Sequence, residues 1–162
     1  MILGALGSNL TGPWGSPRQT LTRALAEFDS NGMQLVSASR LLMSAPFGRV
    51  NQSPFVNAVA HIATHLPPQA LMRRLHMIER NAGRRRASRW GPRTLDLDLL
   101  DYHGLILRQP SQLILPHPGM ADRIFVLKPI AELAPRWIHP VLRQTARTLL
   151  GKLATIGEGA EI

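Results

Sequence analysis

The sequence predicts an α+β fold, an antiparallel sheet with helices packed on it and extra elements at the C-terminal end. Three observations lead there. Apolar residues recur every second position in some segments and every third or fourth in others. These segments follow one another in the order β-α-β-β-α-β. Gly, Pro and Asn-Gly breaks separate them. The 162 residues are expected to form a single domain, 1–162.

The elements follow in order. Met1 to Leu6 is an apolar run closed by Gly7-Ser8-Asn9, a buried strand and its turn. Gly12, Pro13, Gly15 and Pro17 make a loop. From Arg18 to Phe28, Leu21, Leu25 and Phe28 form one helical stripe, which ends at Asn31-Gly32. Met33 to Leu42 alternates as a strand, and Ser44 to Pro54 is a loop. Phe55 to His65 is a strand with Val56, Ala58, Ala60 and Ile62 on one face. Pro67 and Pro68 open a helix that runs to about Asn81, with Leu71, Leu75 and Ile78 on its apolar side; Gly83 stops it. A basic loop to Pro92 leads into a strand from Thr94 to Tyr102. His103-Gly104 then turns the chain, and Leu105 to Leu107 is expected to return as that strand's hairpin partner. Pro110 to Pro118 reads as irregular. Asp122 to Ala134 has helical patches, with Pro129 starting a new turn rather than sitting inside a helix. Pro140 to Leu153 reads as the last helix. This order is the ferredoxin-like plan with additions.

Composition narrows the partners. Lys and Arg number 19 against 10 Asp and Glu, a net charge of +9, and only Lys128 and Lys152 are lysine. Guanidinium forks suit phosphate oxygens. Codon usage that favours arginine would give the same excess, so local clustering has to decide. The absence of cysteine excludes disulfides and thiolate metal sites. With no run long enough to span a bilayer and no leader-like start, a cytoplasmic protein is expected.

The sharpest feature is Arg93-Thr94-Leu95-Asp96-Leu97-Asp98-Leu99-Leu100. On a strand, Leu95, Leu97 and Leu99 would face a core, while Asp96 and Asp98 share the other face roughly 6.6 Å apart. Such a carboxylate pair can hold a hard cation together with substrate phosphates; otherwise it is a solvated acidic face, although Asp is depleted in strands. Arg84, Arg85, Arg86, Arg89 and Arg93 precede it. Positive charge beside an acidic metal site is what a triphosphate requires. His117, held between Pro116 and Pro118, and Arg123 form a second candidate pair for phosphate. No P-loop, GxGxxG, GxSxG or protein-kinase catalytic loop is present.

The segment Arg89-Trp90-Gly91-Pro92-Arg93-Thr94-Leu95-Asp96-Leu97-Asp98 resembles the signature of the hydroxymethyldihydropterin pyrophosphokinases. The resemblance extends through Leu6-Gly7-Ser8-Asn9-Leu10, Phe55-Val56-Asn57-Ala58-Val59, Ile78-Glu79 with Gly83-Arg84, and Leu115-Pro116-His117-Pro118 followed by Arg123 and Phe125. It implies transfer of pyrophosphate from ATP to 6-hydroxymethyl-7,8-dihydropterin, with release of AMP, in folate biosynthesis. It further implies two Mg²⁺ ions on Asp96 and Asp98. Arg84, Arg86, Arg93, His117 and Arg123 would stabilise the triphosphate, with Glu79 on the ATP side and Trp90 beside both substrates. The pterin would stack between Phe55 and Phe125. Asn57 would hold its edge, helped by Ser44 and by the backbone near Pro46 and Phe47. A monomer is expected, with no nucleic-acid or membrane partner.

The chain departs from the family pattern at several positions. Ser44 replaces a frequent Thr. The basic loop is one residue shorter between Gly83 and Trp90. His76 stands where a Gln often contacts the nucleotide, and Gln112 where a basic residue can occur. The competing reading is a basic nucleic-acid-binding module on the same kind of sheet; only 5% of residues are aromatic and no RNP-like motif occurs, which weighs against it.

Overall fold

Period-two burial builds the sheet. The computed structural model describes residues 1–30, 32–45, 53–84, 93–109 and 113–156. Strands β1 (Ile2–Ser8), β2 (Met33–Ala38), β3 (Leu42–Ser44), β4 (Phe55–Thr64) and β5 (Asp96–Tyr102) form one antiparallel sheet of order β2-β4-β1-β5, and β3 also pairs with β4. β4 thus lies between β1 and β2, which are consecutive strands joined by a helix. This is the split βαβ arrangement that the element order predicts.

The two sheet faces have separate cores. Ile2, Leu6, Val56, Ala58, Ala60, Ile62, Leu95, Leu97 and Leu99 pack with Leu21 and Phe28 of α1 (Pro17–Phe28) and with Leu71, Leu75 and Ile78 of α2 (Pro68–Asn81). Their alternate neighbours Leu3, Val59 and Leu100 pack with Val126, Leu127 and Ile130 of α3 (Ile124–Leu133) and with Leu149 of α4 (Ala146–Ile156). Each buried Leu or Ile contributes about 1.5–3 kcal/mol before entropy is counted.

Local signals set the helix ends. Ser16 caps α1 through a capping box: its Oγ accepts from the Gln19 N–H at 3.3 Å, and Gln19 Oε1 accepts from the Ser16 N–H at 2.9 Å. Gly83 follows α2 at φ 86°, where a Cβ would meet Pro13 Cδ at 2.7 Å. Only glycine fits that turn without strain, and the turn delivers Arg84 to the site.

The structure corrects several boundary expectations: β1 runs through Gly7 to Ser8 where a turn was expected, and the strand expected from Met33 to Leu42 is two, β2 and β3, the second reaching Ser44. β5 starts at Asp96, because Thr94 and Leu95 form its approach. Leu107–Gln109 (β6) pairs with Leu113–Leu115 (β7), not with β5, so part of the segment expected to be irregular is a strand. The edge of β5 is already used: the Glu79 carboxylate accepts from the Leu97 N–H at 2.7 Å, and the His117 N–H donates to the Leu100 carbonyl at 2.9 Å. Pro129 sits inside α3, where burial of Val126, Leu127 and Ile130 outweighs the roughly 3 kcal/mol cost of an interior proline. The last helix begins at Ala146, not Pro140. His139 organises the intervening turn, its Nδ1 accepting from the Val141 and Leu142 N–H groups at 3.1 and 3.0 Å. Among the described residues, no helix is long and apolar enough to cross a membrane.

Candidate functional site

On the odd face of β1, side-chain size falls from Leu3 to Ala5 to Gly7. This taper leaves a cavity of about 310 Å³ at the end of the sheet where β5 begins. One wall carries Ser44, Phe55 and Asn57 from β3 and β4. The opposite side carries Arg93, Asp96 and Asp98, and His117, Arg123 and Phe125 close it. The volume lies at the lower end of the range for small-molecule sites.

The charged wall is tightly engaged. Both Asp96 oxygens are occupied: Oδ1 accepts from Arg84 Nη1 at 2.8 Å and Oδ2 from Arg93 Nη1 at 3.0 Å. Arg84 Nη1 also donates to the Glu79 carboxylate. Glu79 is 2% exposed and, like Arg84, stands behind Asp96 rather than on the cavity wall. Burial pushes the Glu79 carboxyl up to about 7; the Leu97 N–H and Arg84 oppose this, while Asp96 and Asp98 add to it. Asp98 also rises to about 7, from burial first and then from the Asp96 charge. Protein rings its carboxyl, yet 35% of its side-chain surface opens onto the cavity, so solvent and ions reach it.

His117 is a neutral donor here. Its Nδ1 accepts from the Gly119 N–H at 3.1 Å, which assigns the ring proton to Nε2. Burial, and then Arg123, lower its pKa to about 4. Its Nε2 stands 3.9 Å from Asp98 Oδ2, a contact that is not an ion pair at neutral pH. The proline-flanked histidine thus presents an N–H to the cavity without adding charge.

The other wall is apolar with polar points. Ser44 and Phe55 are register partners, as are Leu42 and Asn57. Asn57 Nδ2 donates to Ser44 Oγ at 2.7 Å and to the Leu42 carbonyl at 3.2 Å. Phe55 and Phe125, from β4 and α3, both line this cavity.

Of the residues singled out from sequence, the cavity brings together Ser44, Phe55, Asn57, Arg93, Asp96, Asp98, His117, Arg123 and Phe125. Glu79 and Arg84 support it from behind. Pro46, Phe47, Arg86 and Trp90 lie outside the described residues. Sequence reading missed the floor at Ala5 and Gly7, although the decreasing side chains along β1 were a usable signal.

A cavity lined by two phenylalanines and by a wall of carboxylates and guanidinium groups suits a flat ring acceptor beside a polyphosphate donor. That combination defines a transferase of the phosphate-moving class. Residues 3–135 match the family described as 7,8-dihydro-6-hydroxymethylpterin-pyrophosphokinase (HPPK), and the chain belongs to that family. It is 46% identical over 132 residues to the 2-amino-4-hydroxy-6-hydroxymethyldihydropteridine pyrophosphokinase of Pseudomonas aeruginosa, covering 81% of this chain and 78% of the relative. The Haemophilus influenzae enzyme of the same name is 41% identical over 136 residues, covering 84% and 82%. A solved HPPK-DHPS in complex with substrates superposes with a TM-score of 0.71 at 12% identity. The match covers 99% of this chain and 45% of the solved one, so this chain spans less than half of that protein's length, and the likeness speaks for the fold.

Proposed function

We propose that this cavity transfers the pyrophosphoryl group of ATP to the hydroxymethyl oxygen of 6-hydroxymethyl-7,8-dihydropterin. A bond forms between that oxygen and the β-phosphorus. The bond from the β-phosphorus to the oxygen bridging it to the α-phosphorus breaks, AMP leaves with that oxygen, and the acceptor's hydroxyl proton is released. The observation that carries the reading is the convergence of the Asp96–Asp98 pair and the Phe55–Asn57–Phe125 wall on one cavity.

The residues fit magnesium. Asp96 and Asp98 share one face of β5, and both line the cavity, so their carboxylates face the same space. Among the described residues no group of three or more His, Asp or Glu forms a closed metal cage. Magnesium accepts such a site, because it takes one or two carboxylates and leaves its other positions to phosphates and water. Asp96 and Asp98 would hold two Mg²⁺ ions, which when bound supply charge neutralisation at the phosphates and acidify the acceptor hydroxyl.

The protein's own groups position the reactants. Phe55 and Phe125 stack on the pterin ring, and Asn57 with Ser44 reads its polar edge. Arg93 and Arg123 donate to phosphate oxygens, and His117 adds its neutral Nε2–H. Binding donor and acceptor in line in one cavity lowers the entropic part of the barrier, beside the charge stabilisation these donors supply. Cytoplasmic location and a monomeric state belong to the same proposal; the lack of cysteine supports the first.

The test is AMP release from ATP and Mg²⁺ with and without the pterin. AMP that appears only with the pterin is expected. Pterin-dependent ADP, or no nucleotide turnover by folded protein, would overturn the reading.

A further inference from the structure

One residue that the mechanism does not use lies at the junction of the two cavity walls. Asn9, just past β1, is 5% exposed. Its backbone N–H donates to the Arg93 carbonyl at 3.1 Å, and its Oδ1 accepts from the Arg93 N–H at 2.8 Å. Its Nδ2 donates to the Ser53 carbonyl at 3.2 Å. One amide therefore grips two approaches to the site. Arg93 enters β5 three residues before Asp96 and donates to it. Ser53 enters β4 two residues before Phe55.

These side-chain bonds also fix the orientation of the amide, since only an oxygen can accept from the Arg93 N–H and only the NH₂ can donate to the Ser53 carbonyl. The chemistry admits few substitutes. Asp keeps the acceptor but loses the donor and sets a charge against the Ser53 carbonyl. Ser is too short to do both, and Gln places its amide one methylene further out.

We infer that Asn9 is a positioning residue that holds the phosphate-side wall, through Arg93, and the pterin-side wall, through Ser53, in one register. This rests on the proposed reaction. It assigns a role to Asn9, the residue that follows β1, beyond ending a strand. Because the two side-chain bonds go to different walls, they can be separated. Losing the Nδ2 bond should loosen the approach to Phe55 and so weaken the pterin. Losing both should also misplace Arg93 and slow the chemical step.

The experiment compares wild type, Asn9→Asp and Asn9→Ala in the full chain by steady-state AMP release, with folded fraction measured by thermal unfolding. Asn9→Asp should raise the pterin KM about tenfold, with kcat within about twofold. Asn9→Ala should raise it similarly and also lower kcat by about tenfold or more. These changes correspond to about 1.4 kcal/mol for each tenfold step. A purely structural role would lower kcat in proportion to the folded fraction and move neither KM; that result, or wild-type kinetics in folded Asn9→Asp, overturns the inference. Should Asn9→Ala not fold, the pterin KM of Asn9→Asp decides alone. An inactive wild type would count instead against the proposed reaction.

Discussion

At the residue scale, the site is organised around charges that already satisfy one another. Arg84 and Arg93 each donate to one oxygen of Asp96, so a cation arriving alone meets two guanidinium charges at a partly buried carboxylate. A metal arriving with a triphosphate brings negative charge that both guanidinium groups favour, so the combined charge is accommodated at lower cost. Removing Arg84 should therefore strengthen binding of the metal alone while weakening binding of the metal–nucleotide complex. For Arg84→Ala, Mn²⁺ titration without ATP, followed by electron paramagnetic resonance, should show about tenfold tighter binding, or about 1.4 kcal/mol. Unchanged or weaker Mn²⁺ binding would contradict this view of Asp96. Glu79 gains meaning from the same geometry. The family resemblance implies a residue on the ATP side, whereas its carboxylate meets Arg84 and the Leu97 N–H, an arrangement that needs the fold to be seen.

At the element scale, most of the architecture was legible because period carries it. The alternation Leu95, Leu97, Leu99 against Asp96, Asp98 placed the carboxylates on the cavity face, and Val56 to Ile62 placed β4. The region after β5 was less legible. Its pairings depend on what occupies a strand edge, and neither Glu79 against Leu97 nor His117 against Leu100 leaves a periodic trace in sequence. The segment between α3 and α4 is held by a buried polar chain. Trp137 Nε1 donates to Asp101 Oδ2 at 2.8 Å, and His139 accepts two backbone N–H groups. Burial lowers the His139 pKa, with Asp101 opposing. The unfolded chain thus binds a proton at His139 more readily than the folded one. The stability this histidine supports is fully present above its ordinary value of about 6.5 and is lost as pH falls below it, at up to about 1.4 kcal/mol per pH unit. His139→Asn keeps an acceptor for the turn but does not titrate. In urea unfolding between pH 7 and 5, this variant should lose less stability on acidification than wild type; parallel curves would contradict the assignment.

At the scale of the whole molecule, the sheet separates structure from chemistry. One face is filled by α1 and α2 along its length. The other is covered by α3 and α4 but left open where β1 tapers to Gly7. The cavity is therefore a product of decreasing side-chain size on one strand, with its charged wall supplied by the start of the next. This also gives the excess of arginine a local meaning, since Arg84, Arg93 and Arg123 converge on the site that two aspartates define. The competing reading, a basic surface for nucleic acid, does not need an acidic pair with a raised carboxyl pKa at the centre of its charge.

In the proposed reaction, the aspartate pair of this cavity is where the transfer is carried out. The most direct measurement is pterin-dependent AMP release by Asp98→Ala beside wild type, under saturating ATP and Mg²⁺, with both proteins shown to be folded. Turnover by Asp98→Ala should fall by at least about a thousandfold, roughly 4 kcal/mol of lost transition-state stabilisation. Turnover within about tenfold of wild type would show that the chemistry does not run through this site.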